Sequence, residues 1–334
     1  MRIDDLDYAL PPELIAQTPV EPRDAARLLV VDRAAGTIED AVFRDLPGLL
    51  RPDDLVVLNT TRVRAARLAL RRATGGAAEA LLLEPQGDLW SALVRPARRL
   101  RAGERLTGAE GLEVEVVEVL GGGEALLRLH ADGPLDAAIA RGGEAPLPPY
   151  IHERVADPER YQTVYGREVG SAAAPTAGLH FTPELLDRVR ATCELAEVDL
   201  KVGLDTFRPV AVDDLDEHPM HSEAYAVASA ERARIADAVA AGRRVVAIGT
   251  TTTRVLETIA DPAAPDAGRT ELLIQPGYRF RAVGALVTNF HLPRSTLLAL
   301  VMALGGESLI RAAYAQAVER RYRFYSFGDA MVIL

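Results

Sequence analysis

The run from Gly170 to Thr182 combines small side chains with one histidine and ends on a helix-start signal. Small residues let the backbone approach a ligand closely. Thr182, Pro183 and Glu184 have the types of an N-cap, a first-turn proline and a first-turn acid, so they predict that a helix begins here and ends near Cys193. Backbone N–H groups and an imidazole at a helix N-terminus favour a polar or anionic ligand, and a tight turn that needs small residues for packing is the alternative.

A second polar segment, Gly249 to Arg254, places four threonines between a predicted buried strand and predicted helical residues. A strand, a glycine-hydroxyl turn and a helix in this order hold phosphate or carboxylate groups in open α/β sheets. The segment lacks the lysine of a Walker loop. We therefore expect an anion-binding turn of a different type at this position.

Two histidines and an acid, His218, His221 and Glu223, lie within six residues of each other. Residues of these types bind metals or move protons. Pro219 disfavours a helical pairing of the two histidines, and no third ligand is evident, so we expect no metal. Proton transfer and a structural role remain open.

A fourth polar loop, Thr288 to Thr296, leads into an apolar helix that Ser295 or Thr296 caps. Asn289, His291 and Arg294 are the side chains of this loop that can bind a polar ligand or take part in proton transfer. A single loop histidine is usually structural. Four such loops in one half of a chain favour a composite pocket instead.

The totals limit the class of protein. A chain of 334 residues exceeds the size of most single cores, so we expect two domains. One cysteine, an acidic N-terminus and no long apolar run predict a cytoplasmic protein without a disulfide or membrane span. The net charge of −10 argues against a protein whose entire surface binds nucleic acid. Clusters of arginines can still bind phosphates locally. A GC-rich genome would also favour arginine over lysine.

The order of predicted strands and helices along the chain indicates a mixed α/β main domain interrupted by an inserted small closed β-barrel. We assign residues 1–60 plus 151–334 to the α/β domain and residues 61–150 to the barrel. In the first part, short strands are predicted at Arg27–Val31 and Asp54–Leu58, with a helical turn near Leu46–Leu50. Five or six closely spaced strands with glycine turns then indicate a barrel. These strands are predicted at Arg67–Arg71, Ala78–Leu83, Leu89–Val94, Leu112–Val119 and Ala125–Leu129.

In the last part of the chain, after Tyr150, predicted strands and helices alternate again. A strand is predicted at Val198–Val202 and another at Arg244–Ile248. Helices are predicted at Ser229–Ala241, Ser295–Leu304 and Ser308–Arg320.

The whole chain resembles the S-adenosylmethionine:tRNA ribosyltransferase-isomerase family of the queuosine pathway. The resemblance rests on ordered motifs from end to end. They are Asp7-Tyr8, Glu13-Leu14-Ile15-Ala16-Gln17, Asn59-Thr60-Thr61-Arg62-Val63, Pro146 to Ile151, Tyr161-Gln162-Thr163-Val164-Tyr165, Ala174 to Thr182, Met220-His221-Ser222-Glu223, Thr288 to Thr296, Tyr322 to Ser326 and Gly328 to Met331.

The resemblance implies a two-domain enzyme that acts on tRNA. Its reaction transfers and isomerises the ribosyl unit of S-adenosylmethionine onto 7-aminomethyl-7-deazaguanine (preQ1) at the wobble position. The product is epoxyqueuosine, and adenine and methionine leave. S-adenosylmethionine is then a substrate, and no cofactor or metal is expected. We expect a monomer.

The chemistry of that reaction suggests roles for the polar residues. The sulfonium acidifies the adjacent ribose carbon, so a base must remove its proton, and adenine needs a proton donor as it leaves. We expect His180, His221 and His291 to divide this work, with Glu223 orienting one imidazole. Substrate-binding candidates are Ser171, Pro175, Thr176, Gly178, Gly249, Thr250, Thr251, Asn289, Arg294, Lys201 and Asp205. Candidates for tRNA phosphates are Arg95, Arg98, Arg99, Arg321 and Arg323.

One segment departs from the family pattern. Lys201 and Asp205 stand where relatives usually have a histidine and a glycine. A salt bridge between them is one interpretation, and a rebuilt pocket is the other. The second interpretation leaves two alternatives open, a relative with an altered acceptor and a non-catalytic protein that binds S-adenosylmethionine or tRNA.

Overall fold

The computed structural model describes residues 1–153, 157–203, 210, 212–220 and 222–334. The chain divides into two compact units. The first unit comprises Met1–Arg62, Pro149–Glu168 and Ala174–Leu334, and the second comprises Val63–Pro148 and Val169–Ala173.

The regular elements are numbered in chain order. The strands are β1 (Arg27–Asp32), β2 (Thr37–Val42), β3 (Leu55–Asn59), β4 (Thr61–Val63), β5 (Arg67–Arg72), β6 (Ala77–Gln86), β7 (Leu89–Arg95), β8 (Arg105–Thr107), β9 (Glu113–Gly121), β10 (Glu124–His130), β11 (Gly143–Glu144), β12 (Glu168–Ser171), β13 (Glu194–Leu200), β14 (Glu223–Ala226), β15 (Val245–Ile248), β16 (Ala267–Thr270), β17 (Val283–Asn289) and β18 (Ala330–Ile333). The helices are α1 (Leu135–Gly142), α2 (Pro183–Thr192), α3 (Ser229–Ala240), α4 (Thr250–Ile259), α5 (Thr296–Gly305) and α6 (Glu307–Glu319).

A nine-stranded mixed sheet forms the first unit, in the order β16-β14-β13-β3-β15-β17-β18-β1-β2. The four central strands β13, β3, β15 and β17 are parallel, so their carboxyl ends meet at one edge. Every residue of β3 is buried, as a continuous apolar run at the centre of a parallel sheet requires. From β3 the chain adds β13 on one side and β15 on the other. The strand order therefore reverses at β3, where open α/β sheets bind ligands.

Short 3₁₀ helices and α-helix caps position the loops at this edge. Thr182 caps α2 as predicted, because its hydroxyl accepts the Leu185 N–H at 3.1 Å. Ser295 is the residue that caps α5, since its hydroxyl accepts the Leu298 N–H at 3.2 Å. The predicted helical turn near Leu46 is the 3₁₀ helix Phe43–Leu49. The signals for these helix starts are local, which is why the sequence predicts them well.

A closed antiparallel barrel forms the second unit. Strands β5, β6, β7, β10, β9 and β8 pair in that order, and β8 returns to pair with β5. Alternate residues point inward to a separate core that includes Leu68, Ala80, Val94 and Leu127. The predicted fold class, a mixed α/β domain with an inserted closed barrel, is confirmed.

Two strand predictions need correction. The strand predicted at Val198–Val202 is β13, Glu194–Leu200, because its parallel register with β3 begins at Glu194 opposite Leu55. The three-residue strand β8 was missing from the prediction. It is too short to show an alternation of its own, yet it closes the barrel.

Among the described residues, no single helix is long and apolar enough to cross a membrane. The bent pair α5 and α6, at 116°, passes that test together, by length and composition only.

A buried carboxylate ties α4 to the segment that enters β17. Glu257 is 1% exposed and accepts the N–H groups of Arg281, Ala282 and Val283 at 2.8–3.0 Å. The Tyr278 hydroxyl donates to the same carboxylate at 3.1 Å. Glu257 is near the end of α4 and its partners enter β17, so this anchor holds the two elements together at the opposite, amino edge of the sheet.

We expect Glu257→Gln to destabilise the first unit by about 2 kcal/mol, because its amide group turns a donor toward backbone donors. Urea denaturation measures the loss. Glu184→Gln, at an exposed position in the first turn of α2, is the matched control and stays within about 0.5 kcal/mol. Equal stabilities of the two variants would contradict the anchoring role.

Candidate active site

Asn59 joins three chain segments at the carboxyl edge of the sheet. Its side chain is fully buried, and its amide oxygen accepts the N–H groups of Leu200 at 3.0 Å and Thr61 at 3.2 Å. Its amide nitrogen donates to the Leu200 carbonyl at 3.2 Å and lies 3.4 Å from the Thr251 hydroxyl. The end of β13, the end of β3 and the first turn of α4 are thereby held together at the point where the strand order reverses.

The predicted anion-binding turn begins α4. Gly249 has a φ of +96°, a conformation that favours glycine, and its N–H donates to the Val287 carbonyl at 2.8 Å. The hydroxyls of Thr252 and Thr253 bond back to carbonyls one turn earlier. The first N–H groups of a helix have no intrahelical acceptor, so the start of α4 at Thr250 presents donors at this edge.

His180 ends the 3₁₀ helix Thr176–His180 and lies against the end of β17. Its Nε2 is 3.1 Å from the Asn289 amide nitrogen, which as assigned donates to it and also to the Asp329 carbonyl at 3.4 Å. The Phe43 ring covers the imidazole at 4.8 Å between ring centres. The Asn289 side-chain oxygen is buried and has no partner among the described residues. An unsatisfied buried acceptor beside an imidazole is a polar group available to a ligand.

His291 follows β17 and is held on both sides of its backbone. Tyr314 accepts the His291 N–H at 3.0 Å, and the Tyr8 hydroxyl donates to the His291 carbonyl at 2.5 Å. The imidazole Nε2 lies 2.8 Å from the Thr288 hydroxyl. The orientation of this ring is therefore fixed by its own loop and by two tyrosines from distant segments.

Burial sets the protonation of both histidines. Desolvation lowers the pKa of His291 to about 3. The pKa of His180 is also lowered to about 3, first by desolvation and then by the charges of Arg323, Arg23 and Arg160. Both rings are neutral at neutral pH, with one N–H donor and one acceptor nitrogen each, and each is a weaker base than an exposed imidazole.

Glu223 is part of a buried ion pair. Its carboxylate pairs with the Arg254 guanidinium and accepts the Gly203 N–H at 3.0 Å. Arg254 also donates to the carbonyls of Leu272 and Thr270. Asn289 and Thr288 are the described partners of the His180 and His291 imidazoles, and the orientation of an imidazole by Glu223 stays a prediction. His221 lies outside the described residues.

Lys201 interacts with one carboxylate and one backbone carbonyl. Its ammonium lies 2.8 Å from the Asp199 carboxylate and donates to the Glu168 carbonyl at 2.9 Å. Asp205, its predicted partner, lies outside the described residues. A lysine already paired with Asp199 does not need Asp205 to balance its charge.

The remaining substrate candidates are in different environments. Arg294, with a φ of +57°, pairs with Asp4 at 2.7 Å on the N-terminal segment. Ser171 belongs to the second unit, where its hydroxyl donates to the Ala173 carbonyl at 2.7 Å. Pro175 precedes the 3₁₀ helix that Thr176 begins. Their roles in substrate binding stay predictions.

Gly178 has a packing reason to be glycine. A Cβ atom at this position would lie 2.0 Å from the Tyr165 hydroxyl oxygen and 2.8 Å from a Thr163 methyl group. The Tyr165 hydroxyl is buried and has no partner among the described residues. The packing interpretation of the small-residue run therefore applies at Gly178, and a ligand-binding role stays a prediction.

The arginine candidates differ in how they are engaged. Arg95, Arg98 and Arg99 are exposed in the barrel unit, and no described carboxylate pairs with them. Arg323 donates to the Thr18 carbonyl, and Arg321 lies 4.0 Å from the Glu13 carboxylate. The barrel cluster is the one with free guanidinium groups.

Four residues of the site were not among the predicted ones: Asn59, Tyr8, Thr288 and Tyr314. Asn59 and Thr288 both lie in motifs that carry the family resemblance. Asn59 also directly follows a predicted buried strand, which is the signal that could have identified it. Tyr8 and Tyr314 are far from His291 along the chain, so no local signal links them to it. In the described part of the chain, no three His, Cys, Asp or Glu side chains gather as metal ligands.

The chain thus has an α/β domain with a candidate polar site at the carboxyl edge of its parallel strands, and an antiparallel barrel interrupts this domain. Residues 3–333 match the model of a family described as queuosine biosynthesis protein. The chain therefore belongs to this family.

Curated relatives match over their full length. The S-adenosylmethionine:tRNA ribosyltransferase-isomerases of Symbiobacterium thermophilum and Moorella thermoacetica are 56% and 54% identical, with all of both chains covered. The crystal structure of S-adenosylmethionine tRNA ribosyltransferase from Thermotoga maritima is 40% identical, with a TM-score of 0.58 over 99% of this chain and 100% of that one. The resemblance based on the motifs is confirmed.

We expect Gly178→Ala to cost about 1–3 kcal/mol of stability, because the new methyl group overlaps the Tyr165 hydroxyl. In a Tyr165→Phe background the cost becomes smaller, since the overlapping oxygen is gone. A double-mutant cycle by urea denaturation measures the coupling. Gly48→Ala, where a Cβ atom meets nothing within 4 Å, is the control. Equal costs in both backgrounds would contradict the overlap.

The two buried histidines make stability depend on pH. Their folded pKa of about 3 lies below the ordinary value of 6.5, so only the unfolded chain binds these protons between the two values. Their contribution is complete above pH 6.5 and falls as the pH decreases, by about 1.4 kcal/mol per histidine per pH unit. The free energy of unfolding is measured by urea denaturation from pH 7.5 to pH 5. It should depend less steeply on pH in the double variant His180→Gln with His291→Gln than in wild type. An unchanged slope would mean that the rings are not buried in the neutral form.

Proposed function

We propose that this protein transfers and isomerises the ribosyl group of S-adenosylmethionine onto tRNA, with S-adenosylmethionine as a substrate. The observation that carries this function is the match over the full length to ribosyltransferase-isomerases at 54–56% identity. A family model over residues 3–333 supports the same conclusion. The protein is an enzyme of queuosine biosynthesis.

The acceptor we propose is 7-aminomethyl-7-deazaguanine at the wobble position of the tRNA anticodon. Its amine attacks in the unprotonated form, epoxyqueuosine is formed, and adenine and methionine leave. We further propose a cytoplasmic monomer that needs no cofactor. The paired environment of Lys201 supports the ordinary acceptor, because its charge is balanced by Asp199.

The carboxyl edge supplies groups suited to S-adenosylmethionine. The first turn of α4, at Gly249, Thr250 and Thr251, offers N–H and hydroxyl donors to a carboxylate or to ribose hydroxyls. The unpartnered oxygen of Asn289 offers an acceptor to an amine or a hydroxyl. Donors and an acceptor on neighbouring loops match a substrate that carries both an amino acid and a ribose.

The reaction needs a base and then an acid. The sulfonium acidifies the adjacent ribose carbon, and a neutral imidazole can accept the proton from it. His180 and His291 are in the neutral, proton-accepting form, and a bound substrate has to raise their lowered pKa for the transfer to be favourable. A proton must also reach adenine as it leaves, so one histidine among His180, His221 and His291 must be charged at that stage. We assign proton transfer to this group of three.

The second unit is proposed to hold tRNA. Arg95, Arg98 and Arg99 are exposed there without described acidic partners, and phosphate contacts by arginine supply sequence-independent affinity. We treat the two compact units as the catalytic domain and the tRNA-binding domain. A local basic cluster is compatible with the net charge of −10.

Adenine release from S-adenosylmethionine tests the proposed function. Chromatography should detect adenine only when tRNA with the deazaguanine precursor is present, together with a mass gain on the anticodon base. tRNA with guanine at the same position is the matched control. Binding of both substrates without adenine release would contradict the assignment and leave a binding protein.

We expect Arg98→Gln with Arg99→Gln to raise the KM for tRNA and to leave kcat near its original value. The logarithm of kcat/KM should also depend less steeply on the logarithm of salt concentration, by about 0.7–0.9 for each arginine–phosphate interaction that the substitutions remove. Arg105→Gln is the control on the same barrel, since Arg105 lies 3.9 Å from Glu113. An unchanged salt slope would place the tRNA elsewhere.

A further inference from the structure

A small crevice lies beside His180 in the first unit. Its volume is about 20 Å³, room for one water-sized group, and it is open on one side. Arg23, Arg160 and Ser326 line it together with His180. His180 is 5% exposed and Ser326 is 4% exposed, so the crevice is a built feature of the fold.

Two arginines line this crevice, and none of its described lining residues is acidic. The Arg23 guanidinium donates to the carbonyls of Gln162 at 2.6 Å and Glu159 at 2.7 Å, and no described carboxylate pairs with it. Arg323 likewise has a carbonyl as its side-chain partner. Arg160 does pair with Glu21, at 2.5 Å, but the Glu21 side chain is 68% exposed.

The imidazole is placed to respond to that charge. As assigned, its Nε2 accepts from the Asn289 amide, so the neutral ring carries its proton on Nδ1 and directs that N–H to another partner. A second proton on Nε2 requires the Asn289 amide to turn its unpartnered oxygen toward the ring. The charges of Arg323, Arg23 and Arg160 all disfavour a protonated ring. An anionic oxygen next to the arginines would cancel this repulsion and favour the charged imidazole.

We propose that the crevice binds one anionic oxygen of a substrate and that this oxygen converts His180 from a neutral ring into a proton donor. The size admits a single oxygen, and the rest of a phosphate or carboxylate would lie in the open mouth. The proton comes from solvent as the anion enters, and it is then available to adenine as it leaves. The use of that proton rests on the proposed function, whereas anion binding does not.

The groups that face His180 allow this change. Asn289 and Phe43 are uncharged, and Ser326 can donate or accept. The acids near the arginines are Glu21, Asp157 and Glu159, which moderate the charge of Arg23. Buried Asp329, whose pKa is raised by desolvation, accepts the backbone N–H groups of Arg27 and Arg323. The remaining neighbours on the loop are apolar. None of these acids lines the crevice, so an entering anion would face Arg23 and Arg160 directly.

Long-range proton–nitrogen NMR of the histidine rings in the full-length protein tests the proposal, with His180→Gln to assign the signal. Saturating inorganic phosphate should raise the pKa of His180 from about 3 toward neutrality, by several units, because a smaller rise would leave the ring neutral at neutral pH. Arg160→Gln should raise the phosphate-free value and abolish the phosphate-dependent change. Arg320→Gln, whose guanidinium pairs with Asp40, is the matched control and keeps that change.

Two further titrations identify the source of the oxygen. S-adenosylmethionine alone presents the methionine carboxylate, and unmodified tRNA alone presents phosphates. One of these two ligands should reproduce the effect of phosphate on the His180 signal. If neither ligand does so, the proposal is overturned. No response of wild type to phosphate, or an equal response in Arg160→Gln, also overturns it. These signals are read without turnover, so they are independent of whether adenine is released.

Discussion

The hydrogen bonds of Asn59 are the constraint on which the site depends. The side chain ends the central strand of a parallel sheet, and its amide satisfies both backbone groups of Leu200 while reaching Thr251. A buried amide without one of these partners would leave a polar group unsatisfied, so the three segments keep one arrangement. The glycine-threonine turn and the end of β13 are thereby positioned relative to each other before any substrate binds.

Burial then decides what the polar groups of this edge can do. His180 and His291 are neutral because desolvation outweighs every favourable interaction of a charged ring, and at His180 three arginines act in the same direction. Glu223 stays paired with Arg254, which makes it part of the framework. The resulting edge combines helix N–H donors, an unpartnered Asn289 oxygen and neutral bases. Such a set offers donors to the carboxylate and ribose hydroxyls of S-adenosylmethionine and an acceptor to its amine.

Local signals predicted much of the fold, and long-range contacts explain what they missed. The caps at Thr182 and Ser295 could be predicted because each is made within one helical turn. The barrel could be predicted from turns and alternation, but β8 is too short to carry either signal. The pairing of Glu223 with Arg254 joins residues from different elements, and nothing in either segment identifies the partner. For the site, sequence patterns located the loops, and only packing showed which side chains meet.

A crystal structure with S-adenosylmethionine bound tests the central claim most directly, namely that the carboxyl edge of β3, β15 and β17 holds the substrate. The ribose and the methionine are expected against the first turn of α4 and Asn289. The first unit also has an apolar cavity of about 420 Å³ lined by Tyr8, Leu298 and Tyr314, which offers a different position. Substrate density in that cavity, with the carboxyl edge unoccupied, would contradict the account.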